Sequence, residues 1–448
     1  MGAADDSEHR PTCVLLIGVG RLADATDRAL RAGGAGVRRL EEPTDPEIRD
    51  ALDDRVDRVV VISRYDHVSL RLALVVAHVK PGMPTLVTIF DRDAAAHVRR
   101  TIEDATVVSM AEIVAPALVG PCLDPELLSL VHASGRAEGI RAIDGEPQLV
   151  GRVWDTPGRL QRARAALEGV FRPFDPSARI LVAGLLGVLG VLAVETIVTM
   201  IASGLGFVDA LYSVAKVTVT VGPSTAAEQG REWFKLFSTV AMLLTLGFAA
   251  VLTAGLVNRL LDPRLTAIVG PAAVPRRDHV VVVGMGQVGL RLCSLLRELS
   301  IPVVAVEINS NAKNVTRAKD LRLPVVIGSG SSQRALRRLS IQNARGLAAV
   351  TSDEVENIAV AMAGLGVRDD LNVTLRAGDG DEESETASLF GIGVVRDIYR
   401  IAGATLAAVT LGSDGREAFP YEKTMYLVDE DGEIEAFEAP AATEDVPT

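Results

Sequence analysis

Gly284, Gly286 and Gly289 stand at Gly-x-Gly-x-x-Gly spacing directly after the apolar run His279–Val283, and Glu307 closes the next apolar run, Val303–Glu307. Each glycine has its own task at a pyrophosphate. Gly284 allows the tight turn, Gly286 lets the anion approach the backbone, and Gly289 lets a helix pack close to its strand with the N-terminus aimed at the anion. Gln287 and Val288 fill the turn. Glu307, with Ile308 beside it, is spaced to accept hydrogen bonds from ribose hydroxyls. An acid at that point favours a ribose diol over a 2′-phosphate, so the spacing predicts NAD(H) or an adenine nucleotide (ATP or ADP) rather than NADP(H). Gly328, Ser329 and Thr351 end the following apolar runs at the same carboxyl edge, and Asp353 and Arg376 fall near it. These five extend the expected binding rim, although Asp353 reads equally well as a helix N-cap. No Cys–His, Ser–His or hydride-transfer arrangement accompanies them, so the expectation is a binding site and no enzyme.

The elements that must position these residues alternate. Apolar runs at His279–Gly284, Val303–Glu307, Pro324–Ile327, Leu347–Thr351, Asn372–Arg376 and Gly393–Arg396 are each followed by a helical stretch. Such alternation predicts a parallel sheet covered on both faces, here over residues 278–412. A shorter copy precedes it at 12–119. It has runs at Thr12–Gly18, Val37–Leu40, Arg58–Ser63 and Thr85–Phe90, helices near 67–79, 92–101 and 110–118, and the variant turn Gly18-x-Gly20-x-x-Ala23. The same 23-residue interval separates Gly18 from Glu41 and Gly284 from Glu307, which sets the register of the repeat. The first copy lacks the helix-and-strand unit around Asn311–Ser329, and Arg38 and Arg39 replace apolar strand residues. The nucleotide is therefore expected in the second copy.

Between the copies, Ile180–Ala202 and Leu236–Leu260 are each more than twenty residues of nearly unbroken apolar sequence. That is enough to cross roughly 30 Å of hydrocarbon at about 1.5 Å per residue. Phe207–Val217 reads as a short helix entering the bilayer, returning through Thr218–Ser224 as non-helical backbone, which is tolerated at that depth where it lines a wet pore. Arg159, Arg162, Arg164, Arg172 and Arg179 precede the first span, and Arg259, Arg264, Arg276 and Arg277 follow the second. The excess of arginine places both ends in the cytoplasm, with the hairpin among the lipids of the inner (plasma) membrane.

Residues 180–260 resemble the two-helix pore of potassium channels. Residues 278–412 look like the RCK (regulator of K⁺ conductance, or TrkA-N) nucleotide-binding domain, and residues 12–118 are similar to a reduced copy of it. The resemblance implies a mixed fold, a two-helix potassium-channel-like transmembrane pore with α/β Rossmann-like RCK domains before and after it. It implies a homotetramer, since one hairpin cannot enclose a ring of carbonyls, and a pore gated by a ligand in the RCK domain. Thr220, Val221, Gly222 and Pro223 occupy the ion pathway, where K⁺ or another monovalent cation sheds its water. The filter departs from the family after Gly222. Pro223 removes an N–H, and Ser224 stands where a glycine with positive φ is usual. Lys216 places a cation in the pore helix; either Glu195, the carboxylate at similar depth, pairs with it, or Lys216 snorkels and Glu195 sits protonated. A non-conducting, membrane-anchored nucleotide sensor or scaffold is accordingly the alternative. Gly247 and Gly255 read either as hinges or as close-packing positions in the second span.

The remaining segments are an N-terminus (1–11), a connector with a juxtamembrane helix (120–179), the hairpin (180–261), a linker (262–277) and an acidic, partly disordered tail (413–448). The 448 residues carry a net charge of -12, which argues against a nucleic-acid partner. Cys13, Cys122 and Cys293 are far apart, which excludes a Cys-x-x-Cys zinc site and predicts small buried apolar side chains.

Overall fold

The computed structural model describes residues 12–102, 104–133, 136–152, 176–218, 230–261, 268–269, 274–378, 391–415, 417–429 and 431–439. They fall into two compact units, Met1–Arg162 with Pro275–Thr448, and Ala163–Val274.

The first unit opens with β1 (Cys13–Gly18), α1 (Arg21–Ala32), β2 (Gly36–Leu40), α2 (Asp45–Ala51), β3 (Arg58–Ile62), α3 (Asp66–Val79), β4 (Thr85–Thr88), α4 (Arg92–Thr101) and β5 (Ala105–Val108). The strands are parallel in the order β2-β1-β3-β4-β5. Val14–Ile17 and Val59–Val61 are fully buried, as strands covered on both faces must be. β2 is an edge strand here because the helix-and-strand unit that would flank it is absent. That explains its arginines: Arg38 donates to the Ala51 carbonyl at 2.9 Å, and Arg39 pairs with Asp24 at 2.6 Å. α2 and β5 were not expected from the sequence. The signal for α2 lies in Thr44 and Glu47, whose carboxylate accepts from the Thr44 N–H at 2.7 Å, a reciprocal cap.

α5 (Met110–Leu123) follows, then β6 (Leu127–Ala133), β7 (Arg136–Ile143) and β8 (Glu146–Leu149), an antiparallel three-stranded sheet. The expected connector is therefore folded over its first part; the juxtamembrane helix at 159–174 lies outside the described residues.

The second unit contains α6 (Pro176–Ser203), α7 (Phe207–Thr218), α8 (Glu232–Leu261) and the two-residue strand β9 (Ile268–Val269). Within it, Arg179–Ser203 and Glu232–Val257 are long and apolar enough to cross a membrane. α6 and α8 pack closely. A Cβ on Gly184 would lie 2.7 Å from the Leu252 nitrogen, and one on Gly255 2.9 Å from the Leu181 nitrogen. Gly255 thus serves close helix packing. α7 covers the expected pore helix. Thr220, Val221, Gly222 and Pro223 lie outside the described residues.

The first unit resumes with β10 (Val280–Val283), α9 (Gln287–Glu298), β11 (Val303–Glu307), α10 (Lys313–Asp320), β12 (Val325–Ile327), α11 (Gln333–Arg338), β13 (Gly346–Ala349), α12 (Glu354–Leu365), β14 (Asn372–Ala377), β15 (Val394–Asp397) and α13 (Ile398–Leu411). Six of its strands run β15-β14-β13-β10-β11-β12. The chain then forms β16 (Glu417–Tyr421), β17 (Thr424–Val428) and β18 (Ile434–Phe437), a second antiparallel three-stranded sheet. Over its described residues between 417 and 437, the expected partly disordered acidic tail is instead a folded sheet, with Phe419 and Met425 fully buried. The repeat therefore includes a helix and a three-stranded sheet after each Rossmann-like sheet.

The two lobes exchange those helices. α5 lies on β13 and β14 of the other lobe, so close that a Cβ on Gly346 would stand 2.4 Å from the Cys122 carbonyl oxygen. Beyond the exposed Glu112 in its first turn, α5 is apolar and buried on every side from Ile113 to Leu123. α13 crosses α1 in turn, where a Cβ on Gly403 would lie 2.8 Å from the Ala25 carbonyl carbon. Arg396, buried at this junction, donates to the carbonyls of Ala117 (3.3 Å) and Leu128 (2.9 Å). Burial pulls its pKa down to about 10, still cationic at neutral pH. Cys122 and Cys293 are buried, and burial raises both thiols to about 12.

His279, fully buried at the start of β10, has Nε2 3.0 Å from the Leu339 carbonyl oxygen. Burial, reinforced by Arg276, lowers its pKa to about 4. The unfolded imidazole titrates near 6.5, so between these values the unfolded chain binds more protons than the fold. Stability is expected to be complete above pH 7 and to fall as pH drops from about 6.5 to about 4, by on the order of 3 kcal/mol. Melting temperature against pH in detergent checks this; His279→Gln should flatten the profile in that window.

Candidate nucleotide cleft

β10 lies between β11 and β13, the point at which strand order reverses and a crevice opens beyond the carboxyl ends. Gly284 follows β10 with φ +101°, and a Cβ there would lie 2.9 Å from the Thr351 nitrogen. Only glycine fits the conformation and the contact. A Cβ on Gly289 would lie 1.9 Å from the Gly284 oxygen, so the first turn of α9 rests on the glycine loop itself. Gly286 is extended at the N-cap of α9, and a Cβ there would meet nothing within 4 Å. The space before it is open. No side chain caps α9 and no acid stands in its first turn, so its N-terminal N–H groups face that opening. Gln287 is exposed beside it, whereas Val288 is buried.

Glu307 is half-buried at the end of β11. Its Oε2 accepts from the Met285 N–H at 2.8 Å and its Oε1 from the Asn309 N–H at 2.9 Å. The carboxylate thereby ties the glycine loop to the loop after β11. Each oxygen retains a lone pair for a ribose hydroxyl. Ile308 is 71% exposed, an apolar side chain held out beside the acid. The Gly328 N–H donates to the Glu307 carbonyl at 2.9 Å, and the Ser329 and Ser331 hydroxyls are 2.8 Å apart. Gly330, which the sequence reading missed, sits where a Cβ would lie 2.3 Å from Val283 Cγ1.

Thr351 is organised by a residue that reading also missed. Asn357, 1% exposed on α12, accepts from the Thr351 N–H (2.9 Å) and hydroxyl (2.8 Å), and donates to the carbonyls of Thr351 (3.2 Å) and Arg376 (3.0 Å). Its amide makes all the bonds it can. A polar residue on the apolar face of a helical pattern was the available signal. Asp353 is the N-cap of α12, accepting from the Glu356 N–H at 3.1 Å. Arg376 meets Asn357 through its backbone carbonyl, and its guanidinium reaches the Tyr399 hydroxyl at 3.4 Å.

The first copy has the same outline with different chemistry. Gly20 has φ +87°, and Ala23, Gly289's counterpart, is fully buried. Glu41 is exposed, and Asp24 puts a carboxylate in the first turn of α1, paired with Arg39. In the second unit no ion pair joins Glu195 to Lys216; the Lys216 ammonium lies 5.7 Å from the Tyr212 ring centroid, and Glu195 is 3% exposed. Among the described residues no group of His, Cys, Asp and Glu is placed to hold a metal.

Residues 280–396 match the TrkA-N domain. The chain is 21% identical over 162 residues to potassium channel protein 1 of Methanocaldococcus jannaschii, covering 36% of this chain and 47% of that protein. It is 23% identical over 136 residues to probable potassium channel protein 2 of the same organism, covering 30% and 39%. The chain thus spans less than half the length of the curated relatives it matches. Among solved structures, the GsuK channel aligns over 90% of this chain and 64% of its own, with a TM-score of 0.50 and 13% identity, a likeness of fold.

Proposed function

We propose that this chain, which carries a TrkA-N domain and is homologous over part of its length to potassium channel proteins, is one subunit of a nucleotide-regulated potassium or other monovalent-cation channel. The carrying observation is the union in one chain of a cleft built around Gly284, Gly289 and Glu307 with two helices of membrane-spanning length. NAD(H), ATP or ADP binds that cleft, with the pyrophosphate over Gly286 at the N-terminus of α9 and the ribose on Glu307. The site lies in the second lobe, where no acid stands in the first turn of α9.

Four copies enclose the pore in the inner membrane, with both termini cytoplasmic. Exposed Leu189, Ile197, Leu243 and Leu246 on α6 and α8 suit contact with lipid or neighbouring copies. A nucleotide that binds one packing of the lobes more tightly than another shifts the population of pore states by that difference, typically 1–3 kcal/mol. Ion flux from liposomes holding the purified chain is expected to change on adding NAD(H), ATP or ADP. Flux absent under every ligand, with calorimetric binding intact, would overturn the channel and leave a membrane-anchored sensor.

A further inference from the structure

The residue after the second turn glycine differs between the copies: Gln287 follows Gly286, but Arg21 follows Gly20. The Arg21 guanidinium lies over the Tyr399 ring of the other lobe, 6.0 Å from its centroid. Tyr399 also receives Arg376 at its hydroxyl, and its ring packs where a Cβ on Gly378 would stand 2.5 Å from Cδ2. Arg376 is bound through its carbonyl by Asn357, which holds Thr351 by three further bonds, and Thr351 abuts Gly284. An unbroken set of contacts therefore runs from the glycine turn of the second lobe to that of the first.

We propose that Asn357 is a positioning residue that shapes the Thr351 wall of the cleft and, through Arg376, Tyr399 and Arg21, makes the first lobe's glycine turn a sensor of the second lobe's occupancy. The ligand side rests on the nucleotide reading above; the mechanical link does not. Asn357 is nearly inaccessible and fully bonded, so its amide has one arrangement, and a shift of Thr351 must move the Arg376 carbonyl with it. Arg376 and Arg21 meet the same ring, one at its hydroxyl and one over its face. The first copy, whose turn carries Arg21 against the Tyr399 ring where the second has Gln287, thus has a use for its turn other than binding a nucleotide.

Hydrogen–deuterium exchange of the full chain in detergent tests the link without ligand, reading the amides of Asp24–Ala29 in α1. Asn357→Ala is expected to speed their exchange at least threefold, and the same substitution in a Tyr399→Phe background, which keeps the ring but loses the hydroxyl, to leave it unchanged. An equal effect in both backgrounds, or no effect at α1 while Thr351 exchanges faster, overturns the proposal. In the ligand arm, NAD(H), ATP or ADP should slow exchange at α1 in the wild type and not in Tyr399→Phe. Calorimetric binding to the wild type without a change at α1 overturns the proposal. A wild type that binds none of the three overturns the nucleotide reading instead, and the ligand-free arm still decides the link.

Discussion

Gly289→Ala is expected to cost both stability and nucleotide binding, whereas Gly286→Ala costs binding alone. At position 289 the new methyl would stand 1.9 Å from the Gly284 oxygen, a backbone atom that cannot swing aside. Either α9 backs away from β10 or the glycine loop deforms, and overpacking of this kind costs about 1–3 kcal/mol. A displaced loop also loses the bond from the Met285 N–H to Glu307, so the ribose acid and the pyrophosphate turn fall out of register. Nucleotide affinity is expected to drop by on the order of 100-fold, about 2.7 kcal/mol. At position 286 a Cβ meets no protein atom within 4 Å, so the melting temperature should not move. That open space is where the pyrophosphate must approach, and affinity should still fall about tenfold. Calorimetry and thermal melting on both variants separate the effects. Equal binding losses with equal melting shifts would show that the glycines serve packing only.

The second large effect is expected at the helix exchange. Gly403→Val places branched carbon against the Ala25 backbone, where even a Cβ would be 2.8 Å from the carbonyl carbon, and forces α13 off α1. Gly346→Val does the same to α5, whose Cys122 carbonyl would be 2.4 Å from the new Cβ. Each should destabilise the first unit by about 3 kcal/mol, with separate melting of the two lobes where one cooperative transition is expected otherwise. Moving the α5 end also strains the two bonds from buried Arg396 to the Ala117 and Leu128 carbonyls. An uncompensated buried guanidinium adds to the loss. Calorimetric scanning of the detergent-solubilised variants measures both; a single unshifted transition would show that the lobes do not depend on the exchange.

The parallel sheets were legible because their strands are runs of Val, Leu and Ile bounded by glycine, a pattern that burial on both faces produces. The cleft was legible because Gly284, Gly289 and Glu307 each answer to a backbone constraint that few other residues meet. Side-chain direction was not. Arg376 lies on the strand next to Thr351's, and only the packing of α13 decides that its guanidinium turns to Tyr399. Asp353, read both as rim and as cap, is a cap because α12 starts there. The acidic stretch Asp429–Glu433 looked like a solvated tail, yet Asp429 accepts from the N–H groups of Asp431 and Glu433 at 3.0 and 2.9 Å and closes the turn between β17 and β18. Charge marked a turn, while the apolar residues on either side were too few to stand out. The exchange of α5 had a signal: the run Ile113–Leu123, with no polar face, cannot belong to the surface of one lobe.

That exchange also sets a timetable. α5 is synthesised before the two long apolar helices, and the strands it rests on, β13 and β14, come more than 200 residues later. At the usual 5–20 residues per second, an apolar helix waits uncovered for on the order of tens of seconds. During that interval the first lobe presents an adhesive surface to chaperones or to another nascent copy. Delivery of the second lobe by its own tether, at high local concentration, is what lets the chain close on itself rather than on its neighbour.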